Sequence, residues 1–199
     1  WTIKQTTEPA YQPITLEEAR DHLRLVASGS PLSHPDDSTV EAYIKAASGY
    51  AEDRTNKVFA QRTFTLKRDS FQRVMELPVF PVLSVDSITY IDGDGVQQTM
   101  AASNYQTITD RIPAILQLED VPSVDGDTLN AVTITVTAGI ESANSPPDAD
   151  KIPEQVKQAI KLMVGHFYEN RESVNIGSIT STVPFATDAL LWPHRVVGI

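Results

Sequence analysis

Apolar positions along the chain change their period twice. Leu16, Ala19, Leu23 and Val26 recur at steps of three and four, the spacing that lines one face of a helix. Thr15-Leu16-Glu17-Glu18 opens that stripe with the spacing of a capping box. In such a box the threonine hydroxyl accepts from the amide three residues on, and the glutamate reaches back to the threonine amide. Ser28-Gly29-Ser30-Pro31 is expected to stop this helix. A second helix is predicted from Asp36-Asp37-Ser38, whose short polar side chains suit an N-cap and whose charge suits the positive helix end. Val40, Tyr43, Ile44, Ala47, Tyr50 and Ala51 give it one apolar face, and Thr55-Asn56-Lys57 ends it.

From Arg62 the period falls to two. Phe64 and Leu66 share one side of a predicted strand, and Thr63, Thr65 and Lys67 share the other. Pro78 and Pro81 bracket a bend. Val85 to Ile91 reads as a strand that Asp92-Gly93-Asp94-Gly95 turns tightly into Val96-Gln97-Gln98. Short strands are expected near Tyr105–Ile108 and Ile115–Leu118. The clearest strand is Val132-Thr133-Ile134-Thr135-Val136-Thr137, alternating and β-branched throughout. These segments predict a small antiparallel sheet, half-exposed on its threonine-bearing face.

A Pro-, Ser- and Asp-rich connector, 142–150, leads back to a helical period. Pro153 suits the first turn of a third helix, because its missing amide hydrogen is not needed there. Val156, Ile160, Met163, Val164 and Phe167 stripe that helix out to Glu172. The expected fold is α+β: a small helical bundle of three main helices plus a C-terminal tail, with an inserted antiparallel β-sheet. The expected parts are an N-terminal arm (1–14), a helical domain (15–58 and 151–172), a β insertion (59–141) and an extended C-terminal tail (173–199).

Composition narrows the function classes. The chain has 199 residues, no cysteine, and 16 Lys and Arg against 26 Asp and Glu, a net charge of −10. Disulfides, thiolate metal sites and cysteine nucleophiles are excluded. The basic residues form no run of the kind that neutralises phosphates, so tight nucleic-acid binding is not expected. The first residues lack the zones of a signal peptide, and no apolar run reaches the ~18–20 residues of a membrane span, so no membrane association is expected.

Candidate chemistry mostly resolves into structure. His166 and Glu169 lie three apart on one helix, half of a carboxylate-bridged metal motif whose other half is missing. Asp92-Gly93-Asp94-Gly95 begins like a calcium loop, but Ser103 stands where the closing glutamate belongs, and Asp-Gly is the preferred hairpin turn. Asp125-Gly126-Asp127 reads the same way. Glu17, Glu18 and Asp21 sit where acids meet the helix dipole. No phosphate loop, nucleophile elbow or Ser/His/Asp set occurs, so no enzyme, cofactor or metal is expected. Surfaces remain. Tyr168, Asn170 and Arg171 are left outside the stripe of the third helix. Phe185, Leu190, Leu191, Trp192 and Arg195 make the tail too apolar for a merely solvated end. These eight are the candidate interface residues, since aromatic and arginine side chains supply contact area with a polar handle.

Four segments, taken in order, resemble the head–tail connector proteins of tailed bacteriophages, whose relatives occur in gene transfer agents. They are Pro13-Ile14-Thr15-Leu16-Glu17-Glu18-Ala19-Arg20-Asp21-His22-Leu23-Arg24, the Tyr43-Ile44-Lys45-Ala46-Ala47 stripe running to Glu52, Tyr90-Ile91-Asp92 with Ala138-Gly139, and the helix from Ile152-Pro153 to Glu172. Ala189-Leu190-Leu191-Trp192-Pro193-His194-Arg195 is similar to the family's closing segment. The resemblance implies a non-enzymatic virion protein of the neck, assembled in the host cytoplasm as a ring, dodecameric like the portal protein it sits below. Its implied partners are that portal, a stopper or tail-completion protein, further copies of itself, and genome DNA that slides through the lumen without sequence-specific binding. The portal-binding element is expected at Val183 to Val196. Two other readings fit the residues: another neck component such as a stopper, or a non-viral module binding protein or glycan.

Overall fold

The computed structural model describes residues 1–29, 32–142, 144, 148–170 and 185–196. The chain is mixed α+β and divides into two compact units. Trp1–Ala10 and Lys57–Glu141 form a β unit, and Tyr11–Asn56 with Ser142–Ile199 form a helical unit.

The β unit contains two antiparallel sheets where the sequence suggests one. The first has strands β1 (Thr2–Gln5), β2 (Arg62–Arg68), β4 (Val82–Ile91), β5 (Gln97–Thr99) and β8 (Val132–Ala138), in the order β1-β2-β8-β4-β5. The second has β3 (Val74–Leu77), β6 (Tyr105–Ile108) and β7 (Ala114–Leu118), in the order β3-β7-β6. Strand β8 is central and strictly alternating: its Val and Ile residues are buried and its threonines half-buried. Phe64, Leu66, Ile88, Leu116, Leu118 and Ile134 build the common core. Two strands escape the sequence pattern. Residues 2–5, read as part of an arm, pair with β2 from Thr2↔Lys67 to Gln5↔Phe64, and all four are exposed, so no alternation betrays them. Strand β3 alternates, but over four residues only. Gly139 is required where the chain leaves β8. Its φ is +129°, and a Cβ there would lie 2.6 Å from Gln61 Cα.

The helical unit contains α1 (Leu16–Leu23), α2 (Asp37–Thr55), α3 (Glu154–Glu169) and α4 (Phe185–Leu191). The capping box is present: Glu18 N–H donates to Thr15 Oγ1 at 3.1 Å, and Thr15 N–H to Glu18 Oε2 at 2.8 Å. Helix α1 ends a turn earlier than its stripe suggests. Arg24 takes a left-handed conformation, φ 57°, and Leu25 N–H donates back to Arg20 O at 2.9 Å. This closing turn satisfies the last carbonyls and leaves Val26 in solvent, 84% exposed. In place of an extended strip, residues 185–191 are helical and 192–194 form a 3-10 turn. Thr187 and Leu191, four apart, are both fully buried. The polar stretch before α4 hides this short helix from a search for long stripes.

Candidate assembly surface

Charged pairs fix the first helix. Arg20 forks onto Asp37 at the start of α2, with Nε to Oδ1 at 2.7 Å, and Asp37 also accepts from His34 N–H at 2.8 Å. The arginine and then the amide hold the Asp37 carboxyl below its usual range. Lys161 of α3 donates to Glu18 at 3.1 Å. Burial pushes the Glu18 carboxyl up, but the Thr15 amide and Lys161 outweigh it and the net direction is down. Glu18, read as half of the capping box, and Asp37, read as part of the second helix's N-cap, therefore also tie α1 to its neighbours.

The end of α3 and the end of α1 together line an open cleft of about 550 Å³. His22, Arg24, Gly165, His166, Tyr168 and Asn170 form its walls. A Cβ at Gly165 would meet His22 Nε2 at 3.4 Å, an ordinary contact, so α1 and α3 meet here without requiring a glycine. Burial, and then the charge on Lys161, shift the His22 imidazole toward its neutral form.

The structure sorts the eight interface candidates. Tyr168 is part-buried and donates to Asp36 at 2.6 Å, so its hydroxyl is committed to the N-terminus of α2. Asn170 caps α3: its backbone and side-chain amides both donate to His166 O, at 3.0 and 2.9 Å. Phe167, expected in the core stripe, is half-buried with its ring 5.9 Å from that of Tyr43. Arg171 and the side chain of Phe185 lie outside the described residues. Leu191 is fully buried and Leu190 partly so, whereas Trp192 is 61% exposed. Arg195 is exposed and stacks over the Trp192 ring at 5.5 Å.

Helix α4 is held from several sides. Arg54 of α2 forks onto Asp188 at 2.8 and 3.0 Å, His194 pairs with Gln155 of α3 at 2.8 Å, and Val196 N–H donates to Thr55 O at 2.8 Å. A seated helix thus presents Trp192 and Arg195 together, a rigid aromatic with a cation above it. Sequence reasoning missed a second apolar offering. Between α1 and α2, Ser28 and Ser33 exchange two backbone bonds, and the loop exposes Val26 and Leu32, the latter at 65%. Its signal was weak: Leu32 stands alone among polar residues, which sequence does not separate from ordinary scatter, and Val26 was counted in the stripe of the first helix.

Asp92 and Asp125 are occupied by their own turns. Asp92 accepts from Asp94 N–H, Val96 N–H and Gln98, and Asp125 from Asp127 N–H and Thr128. Among the described residues no group of three His, Cys, Asp or Glu is placed to hold a metal, and no helix is long and apolar enough to cross a membrane.

Neither a family model nor a curated protein sequence matches the chain. Solved structures do match, over the full length. The chain is similar to one in the neck of an empty gene transfer agent particle with C6 symmetry, at 26% identity and a TM-score of 0.77, covering 100% of this chain and 97% of that one. Chains in the virion of a native gene transfer agent and in a native neck with C12 symmetry match at 26% identity and a TM-score of 0.75, with the same coverage.

Proposed function

We propose, for a chain that resembles phage-like head–tail connectors over its full length, that it is a structural neck protein of such a particle. In this reading it is an adaptor, forms a ring below the portal, extends the DNA channel and carries a stopper or tail component. The observation that carries the reading is the match spanning 100% of this chain and 97% of a gene transfer agent neck chain. C6 and C12 symmetry in the neck structures support a ring, with twelve copies compatible with both. Assembly over catalysis is supported by Tyr168 and Asn170, whose polar groups are spent on Asp36 and on the cap of α3. Trp192 and Arg195 are the portal-facing anchors, displayed on the turn that follows α4. The acid excess suits a conduit: about twelve copies at −10 each give on the order of −120, a wall that repels phosphate and lets DNA slide.

Imaging purified chain mixed with portal particles tests this. Ring density below the portal is expected, and its absence overturns the reading. Trp192→Ala should weaken docking at least about tenfold while leaving stability within about 0.5 kcal/mol, as for other exposed positions. Unchanged docking would move the anchor elsewhere.

A further inference from the structure

The β unit is electrically lopsided in a way its net charge hides. Residues 1–10 and 57–73 carry six Lys or Arg and two Asp or Glu, whereas residues 74–141 carry ten Asp or Glu and one basic residue, Arg111. Topology turns this division into space. The order β1-β2-β8-β4-β5 puts the basic strands at one edge of the sheet and the acidic hairpin at the other. At the basic edge Lys4 stands opposite Thr65 and Lys67 opposite Thr2, so alternation puts both lysines on the threonine-bearing face. At the acidic edge Asp94 lies in the β4–β5 turn. The loop carrying Asp127 is tied to that hairpin by Asp125 N–H donating to Ile91 O at 3.0 Å. Lys4, Asp94 and Asp127 are exposed and Lys67 partly so, and none of the four forms an ion pair among the described residues. Strands β1 and β5 are each hydrogen-bonded on one side only, with every residue exposed.

We propose that the basic β1–β2 edge of one copy docks on the acidic β4–β5 end of a second copy, and that this head-to-tail contact is the one that propagates the ring. The proposal rests on the ring reading above and names its interface. A two-fold contact through either edge would set like charges against each other. A head-to-tail contact joins opposite ones, and only head-to-tail contacts close into rings of many copies. Complementary edges also fix register and speed encounter, and they cover strand edges that would otherwise invite unspecific pairing.

Carbodiimide, which joins an amine to a carboxylate only in contact, tests the proposal on full-length chain mixed from ¹⁴N- and ¹⁵N-labelled preparations. Mixed-isotope peptides linking Lys4 or Lys67 to Asp94 or Asp127 are expected. Two variants extend the test: Lys4→Glu with Lys67→Glu, and Asp94→Lys with Asp127→Lys. Each alone should self-associate at least about tenfold more weakly in sedimentation. Mixed in equal amounts they should assemble again, because native edge then meets native edge and reversed meets reversed. That recovery also shows both variants folded. Variants that assemble alone like wild type, or links confined to other residues, overturn the edge contact and leave the ring reading standing. A wild-type chain that gives no oligomer, alone or with portal particles, overturns the ring reading and this contact with it.

Discussion

In the helical unit charged side chains end on one another: Arg20 on Asp37, Lys161 on Glu18, Arg54 on Asp188. In the β unit Asp92 and Asp125 bond to their own turns, whereas Asp94, Asp127, Lys4 and Lys67 form no ion pair among the described residues. Both units hold a similar excess of acid, nine basic residues against fourteen acidic in the helical unit and seven against twelve in the β unit. Equal balance therefore serves different ends. One unit uses charge to fix helices that are short or bear mixed faces. The other segregates it and is held by its strand ladders and apolar core.

That contrast can be broken most forcefully at the cores, where it should vanish. Ile134→Ala and Leu191→Ala each remove a fully buried side chain and should each cost about 2–5 kcal/mol in denaturant melts. A Leu191→Ala loss well below that range would mean that α4 is seated by its ion pair instead. A smaller effect separates the units directly. Arg20→Ala should lower the melting temperature, since it strands Asp37, while Lys67→Ala should leave it unchanged. Equal shifts would erase the distinction between the two units.

The gentlest probe is pH. His22 has its pKa lowered by burial, so its contribution is complete above the unfolded value near 6.5 and is lost as pH falls below it. Asp37 and Glu18, also lowered, contribute above about pH 4 and lose that contribution as pH falls through their folded values. The melting temperature should therefore decline in two stages on acidification, and His22→Gln should flatten the first. A single decline confined to the carboxylate range in wild type would dismiss the histidine's role.

Legibility followed the length of the periodic signal. Thr15 with Glu18, the stripe from Val40 to Ala51 and the alternation from Val132 to Thr137 were readable because each repeats a local rule several times. Residues 2–5 and 185–191 were not, because an exposed edge strand has no buried side and a seven-residue helix completes barely two turns. The candidate surface was half legible. Trp192 and Arg195 lie exposed where residue type suggested an anchor. Tyr168 is drawn onto Asp36, and Asn170, though exposed, is spent on the carbonyl of His166, partners that helix spacing does not reveal. The edge charges were visible as residues, but opposition between edges exists only once strand order is known.

The helical unit is discontinuous, and that sets an order of events on the ribosome. Its first two helices are complete by Asn56, yet α3, which covers their apolar stripe, begins at Glu154. Synthesis of the intervening roughly 100 residues takes on the order of 5–20 s at ~5–20 residues per second. For that interval Ile44, Ala47 and Ala51 emerge into the cell without the partner that buries them. The last strand of the β unit, β8, ends at Ala138, so all of its strands have been made before α3 emerges to complete the helical unit.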